Sequence, residues 1–312
     1  MEAAREKTKK RGAWKKLRQE GYLEVYLMLL PGLLLLLIFR YLPMGGLIIA
    51  FQDFNIFEGI GGSEFVGLAN FRRVFENPDF YKVLWNTIFI NVYKLCFYIP
   101  LPIIVAIMLE EIRMRRFKAT VQTVIYLPHF LSWIIVGGLF ANLLATNTGL
   151  VNSFLESMGL ESVKFMYDPA VFPSVIVFSS MWKEIGWGAI VYLGALTAID
   201  PQLYEAAKID GASRIKQIFN ITLPGIAGTF VVVTLTNLAG LLTNSFEQIL
   251  VMYNPAVYDV ADVISTYVYR YGIGQMEYGY STAIGLFNSL VGFILIMSFN
   301  TFCKKRLDRG VL

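Results

Sequence analysis

Charge is scarce in this chain: of its 312 residues only 16% are Asp, Glu, Lys or Arg, while 56% are hydrophobic and mean hydropathy is +0.55. That leaves too little polar surface to cover a soluble globule of this size, so a bilayer is the natural solvent. Histidine is nearly absent, with His129 alone, and the two cysteines, Cys96 and Cys303, sit far apart in apolar stretches. A disulfide framework and a paired thiol motif are thereby excluded, and both cysteines read as inert packing residues. No Gly-x-x-x-x-Gly-Lys followed by Ser or Thr occurs, so no such loop is available to cradle nucleotide phosphates. The net charge of +4 and pI near 8.9 come from basic residues at the edges of apolar segments rather than from one solvated patch, which argues for membrane orientation and against nucleic acid as a partner.

A spanning helix needs about 20 mostly apolar residues at ~1.5 Å rise each. Six stretches qualify: Val25–Ala50, Val83–Leu109, Val121–Leu144, Phe172–Ala198, Pro224–Phe246 and Ser281–Cys303. Backbone groups in lipid find no water, so the segments are expected to be helical and the fold all-α. Basic residues precede the first span (Arg5 to Arg18), separate the second and third (Arg113, Arg115, Arg116, Lys118), follow the fourth (Lys208, Arg214, Lys216) and follow the sixth (Lys304, Lys305, Arg306, Arg309). The positive-inside rule puts these four regions in the cytoplasm with both termini, and turns 51–82, 145–171 and 247–280 outward. The expected organisation is a basic tail over 1–24, a six-helix membrane domain over 25–303 and a short tail over 304–312. The tail before the first span reads as an orientation signal and a contact for anionic lipid. A signal peptide is the rival reading of the start, but no small-residue cleavage site follows Leu33 to Leu37, so retention as an anchor is expected. Arg40, inside that first span, is expected to snorkel towards the outer headgroups.

Between the fourth and fifth spans, Asp200 is a good N-cap and Pro201 suits the first helical position. Gly211 can take the left-handed conformation that ends a helix, Ser213 can cap a second one, and Pro224 can open the next span. The segment 200–224 is therefore expected to be helix, tight turn, helix. Glu205-Ala206-Ala207, then three residues, Gly211, then nine residues, Ile221, one residue, Leu223 and Pro224 resembles the EAA loop of binding-protein-dependent ABC permeases. Stretches around Phe65–Phe71, Tyr126–Trp133 and Trp182–Gly188 resemble the maltose-type sugar permeases, in the branch that imports oligosaccharides and polysaccharide fragments. The resemblance implies the transmembrane-domain fold of type I ABC importers. In it, the loop through Glu205, Ala206, Ala207, Gly211, Ile221, Leu223 and Pro224 is the coupling helix that docks on an ATPase. It also implies two ATPase subunits that bind ATP and Mg, a second related permease and an extracellular or periplasmic solute-binding protein. The chain itself would bind no cofactor, catalyse no reaction and sit in the bacterial cytoplasmic membrane. Permeases for amino acids, peptides or phosphate, and a self-sufficient secondary transporter, are the rival readings.

Charged residues at mid-span are costly, about 2.5–3.5 kcal/mol each on insertion scales, and need partners or a wet cavity. Lys94 in the second span and Lys183-Glu184 in the fourth fall there. Adjacent helical residues diverge by ~100°, so Lys183 and Glu184 are not expected to meet, and a cross-helix Lys94–Glu184 pair is expected instead. Two readings stay open, a translocation-path cluster and a buried packing pair. Asn237, Asn244 and Gln248 recur at helical spacing beside Thr236, Thr243 and Glu247, which makes one side of the fifth span wet. Amides suit sugar hydroxyls and aromatic faces suit pyranose rings, so Trp182, Trp187 and Tyr192 complete a candidate path, with interhelical glue as the alternative. His129 reads as a packing or interfacial histidine, since the sequence shows no nearby partners for catalysis or proton coupling, and Glu110 and Glu111 read as part of a solvated turn.

Overall fold

The structure, a computed structural model, describes residues 22–241 and 245–306. It is helical apart from one short hairpin. Helix α1 (Tyr22–Leu36) runs on through a π turn and a 3-10 turn, giving a continuous segment Glu24–Phe51. Strand β1 (Gln52–Asp53) then pairs antiparallel with β2 (Glu64–Phe65), Gln52 opposite Phe65. After α2 (Ala69–Glu76), helices α3 (Pro78–Tyr98) and α4 (Pro100–Glu110) join almost end to end, because Pro100 and Pro102 suit a first turn but Pro100 lacks the N–H that would continue the ladder.

Three helices, Glu24–Phe51, Pro78–Glu110 and Tyr278–Lys305, are long and apolar enough to cross a membrane among the described residues, and bent pairs raise this to five. The expected third span, Val121–Leu144, is not one straight helix. Helix α5 (Arg115–Tyr126) with its 3-10 extension to Phe130 meets α6 (Trp133–Leu143) at 104°. Leu131 is extended and the Ser132 hydroxyl accepts from the Ile135 N–H at 3.4 Å, so Ser132 starts a new helix where the periodicity suggested a continuous one. The expected fifth span begins where Pro224 placed its start, at a 63° bend between Arg214–Gly225 and α11 (Ala227–Leu241), after short helices α9 (Pro201–Ile209) and α10 (Arg214–Gln217). Between α6 and those lie α7 (Leu150–Ser157) and α8 (Phe172–Thr197), whose 26 residues are long enough to span although Lys183 and Glu184 dilute their apolar character. Two short helices, α12 (Phe246–Met252) and α13 (Ile264–Tyr269), precede the last, α14 (Tyr278–Arg306).

Helix α8 is the organiser: it packs on α3, α4, α5 and α11. Phe172, Val175 and Ile176 at its start join Ile90 of α3 and Ile249 and Met252 of α12, while Ala189, Tyr192, Leu193 and Leu196 at its end join Ala106 and Leu109 of α4. A third cluster, including Val74, Phe80, Tyr267, Tyr280 and Ile284, ties α2 and α13 to the start of α14. Gly186 makes the α8–α5 approach possible, since a Cβ there would lie 2.2 Å from the Ile125 carbonyl oxygen. Cys303 is buried as expected, whereas Cys96 is exposed on the outer side of α3, which corrects its reading as a packing residue.

The alternate loops gather at opposite ends. At one end Arg214 reaches Glu111 at 3.3 Å, and Lys118 reaches Glu110 at 2.7 Å. At the other, Arg73 grips Glu277 through two bonds of 2.7 and 3.0 Å and lies over the Tyr280 ring, and the Asn86 amide donates to the Asp259 and Asp262 carbonyls. The Arg73 guanidinium holds the Glu277 carboxyl below the usual carboxylate range.

Candidate functional site

Two places concentrate polar chemistry. The first is a cavity of about 480 Å³ enclosed by α3, α8, α11, α12 and the α5–α6 break. Helix α3 contributes Asn91, Lys94 and Tyr98, spaced three and four apart and so on one face. From α8 come Ser180 and Glu184, from α11 Asn237, and from the break Trp133, with Ser245, Phe246 and Glu247 closing the far side. A smaller cavity of about 230 Å³ adjoins it, sharing Tyr98, Glu184 and Asn237 and adding Trp187 and Thr236.

The charges inside are arranged otherwise than expected. Lys94 does not pair with Glu184; its ammonium, with only 6% of the residue exposed, donates to Ser245 Oγ at 3.0 Å and to Gln248 Oε1 at 2.7 Å. Glu184 instead lies 2.7 Å from His129 Nδ1 and 3.1 Å from Lys183 Nζ. Adjacent side chains thus do meet, because the long Lys183 stem curls back, and its ammonium also donates to the His129 carbonyl at 2.6 Å. That carbonyl belongs to the last turn before the 104° break, where helix carbonyls lose their intrahelical partners, so Lys183 caps a broken helix from across the bundle. His129 is therefore not without partners: besides Glu184, its ring stacks on Trp187 at 4.7 Å and lies 6.2 Å from Tyr126.

Other candidates scatter. Lys183 is not among the residues that line the cavity, Trp182 packs edge-on against Phe140 at 5.8 Å, and Tyr192 is fully buried in the apolar cluster with α4, so it offers no face to a wet path. Gln248 belongs to the separate helix α12 and not to a stripe continuous with Asn237, and it too is fully buried, its Nε2 donating to the Ile176 carbonyl and Ser179 Oγ. Asn244 and Thr243 lie outside the described residues. Asn91, Tyr98, Trp133, Ser180 and Ser245 were missed. The i, i+3, i+7 spacing of Asn91, Lys94 and Tyr98 was the available signal, whereas Trp133 and Ser245 enter through chain breaks that periodicity does not announce.

The second place is the loop 200–224. Asp200 caps α9, its carboxylate accepting from the Gln202 N–H at 2.9 Å, and Gly211 ends the turn at φ +73°. The Ala212 N–H then closes on the Ala207 carbonyl at 2.8 Å, a Schellman-type lock on the orphan carbonyls. Ser213 caps α10 through the Lys216 N–H at 3.4 Å. Tyr204 OH meets Thr222 Oγ1 at 3.0 Å, and Gln217 Nε2 donates to the Ala212 carbonyl at 2.9 Å, so both arms are braced. No residue of α9 is buried: Glu205 and Ala206 are exposed, Ala207 is half-buried, and Leu203 and Ile209 present apolar surface. Ile221 and Leu223 are half-buried, with Leu223 packed on the cluster of α4 and α8, and Pro224 is exposed.

Residues 98–309 match the family described as the binding-protein-dependent transport system inner membrane component. The chain is 44% identical over 296 residues to the polygalacturonan/rhamnogalacturonan transport system permease protein YteP of Bacillus subtilis (strain 168), covering 95% of this chain and 92% of that one. It is 29% identical over 291 residues to the arabinooligosaccharides transport system permease protein AraP of the same organism, covering 93% and 90%. Among solved structures, a chain of the bacterial alginate ABC transporter in complex with alginate pentasaccharide-bound periplasmic protein superimposes with a TM-score of 0.87 at 38% identity, covering 96% of this chain and 99% of that one. The braced, outward-standing loop, the polar cavity between apolar helices and these likenesses converge: the chain belongs to the binding-protein-dependent ABC transporter permeases, the membrane components of ABC importers.

Proposed function

We propose that the chain forms half of a translocation pathway for an oligosaccharide, delivered by a solute-binding protein and driven by two ATPase subunits that alone bind ATP and Mg. A second, related permease completes the pathway. The loop 200–224 faces the cytoplasm with both termini of the chain, in the bacterial cytoplasmic membrane, and residues 25–303 form the membrane domain. Glu205, Ala206, Ala207 and Gly211, with Ile221, Leu223 and Pro224 rooting the loop, transmit closure of the ATPases to α8 and α11. Alternating access follows: nucleotide-driven closure pulls the loop, the cavity opens towards the loaded binding protein, and hydrolysis returns it to the cytoplasmic side.

One observation carries this reading: α9 is capped, turned and braced by its own residues, yet buries none of its side chains. An element so firmly shaped and so little packed has a surface made for contact. Saccharide as substrate is supported by Asn91 and Asn237 beside the rings of Tyr98 and Trp133 in the cavity wall, which suit hydroxyls and pyranose faces, and by the names of the relatives. Glu205→Lys and Gly211→Pro are the test. Both variants are expected in the membrane at normal amounts with oligosaccharide uptake in proteoliposomes lost, and normal uptake in both contradicts the docking role.

A further inference from the structure

We infer that Lys94 reads a carboxylate, so that the saccharide crossing this cavity is an acidic, uronate-bearing one. The inference rests on the oligosaccharide reading above and narrows it. An ammonium carries three N–H donors, and two of those on Lys94 are taken by neutral acceptors, Ser245 Oγ and Gln248 Oε1. The orientation of Gln248 is fixed, since its Nε2 is spent on the Ile176 carbonyl and Ser179 Oγ, at 2.6 and 2.9 Å, leaving Oε1 for Lys94. Lys94 is thus held in place by a rigid, uncharged bracket.

What the bracket lacks is a counter-ion. Among the described residues no carboxylate forms an ion pair with Lys94; of the two carboxylates in the same lining, Glu184 is held by Lys183 and His129, and Glu247 is exposed and makes no ion pair with Lys94. Lys94 is also the one cation among the residues that line the cavity. A buried cation is expensive without an opposite charge, and a cavity wall is where a passing ligand can supply one. One helical turn earlier, Asn91 lines the same cavity, and its buried Oδ1 has no hydrogen-bond partner among the described residues. A donor-bearing cation with an unsatisfied acceptor one turn away suits a sugar carboxylate and a neighbouring hydroxyl, with Tyr98 and Trp133 at hand for the ring faces.

The test uses the intact transporter with its permease, ATPase and binding-protein partners in proteoliposomes, and two labelled probes: a galacturonate trisaccharide, and the same trisaccharide with its carboxyls reduced to neutral hexoses. The readout is the ratio of acidic to neutral uptake, taken with the same binding protein throughout so that its own selectivity cancels between variants. Lys94→Gln is expected to lower that ratio about tenfold or more, the scale of one charge-assisted hydrogen bond, while Lys94→Arg retains it. Gln248→Glu, which neutralises the ammonium without removing it, is expected to lower the ratio in the same way and serves if Lys94→Gln fails to co-purify with its partners. An unchanged ratio in both neutralising variants overturns the assignment. Uptake of the neutral probe alone by the unaltered transporter overturns it too while leaving the oligosaccharide reading intact, whereas no uptake of any saccharide overturns both.

Discussion

Lys183 ties α8 to the end of the broken α5 segment. Its ammonium serves both the Glu184 carboxylate and a helix-end carbonyl, and its side chain is 8% exposed. Removing one partner of a buried ion pair costs about 3–5 kcal/mol, so Lys183→Met is expected to lower the thermal midpoint of the detergent-solubilised protein by several degrees. Lys183→Arg, which restores charge and donors, is expected to recover part of it. Gly186→Ala is expected to act through shape alone: the added methyl meets the Ile125 backbone, and overpacking of this kind costs about 1–3 kcal/mol, read in the same melting experiment. These dependences were only partly legible in the sequence. That Lys94, Lys183 and Glu184 needed partners followed from their depth, but which partners they took did not. The angular rule for neighbouring residues describes Cβ directions, and a four-carbon stem overrides it.

At the scale of elements, local chemistry was read well and long-range geometry less so. Asp200, Pro201, Gly211 and Ser213 each do in the structure what their types allow, because caps and left-handed turns are decided within a few residues. The break after Phe130 was hidden, since apolar periodicity continues across it and only tertiary contacts such as Lys183 to the His129 carbonyl make a bend tolerable, whereas the bend between Gly225 and Ala227 falls at the boundary that Pro224 marks. The Arg73–Glu277 clamp is a second tie between distant segments, and it is pH-sensitive. The Glu277 carboxyl is depressed when folded, so the clamp contributes fully above its ordinary range, roughly pH 4, and is lost as acid protonates it. Both groups are partly exposed, which limits the effect to about 1 kcal/mol or less. Glu277→Gln is expected to flatten the stability profile between roughly pH 3 and 5 in melting curves, with no change at neutral pH beyond that small loss.

Taken whole, the molecule leaves a long apolar helix largely uncovered. None of the residues in the apolar window of Glu24–Phe51 is buried within the chain. The chain alone in proteoliposomes is expected to move no labelled oligosaccharide, with or without ATP and with or without an ion gradient, and uptake is expected only when the ATPases and second permease are added. Solute accumulation by the isolated chain on an ion gradient would make it a self-sufficient transporter instead.

The braced loop bears on how such machines diversify. Apart from Arg214 to Glu111, the polar ties that shape it, at Asp200, Ala207, Ala212, Ser213, Tyr204 and Thr222, begin and end inside residues 200–224. The loop's polar shape is therefore set largely by its own residues, while Leu223 roots it in the cluster of α4 and α8. With the docking role proposed for it, a chimera carrying another permease's version of 200–224 is expected to change which motor it answers to while keeping the cargo it accepts.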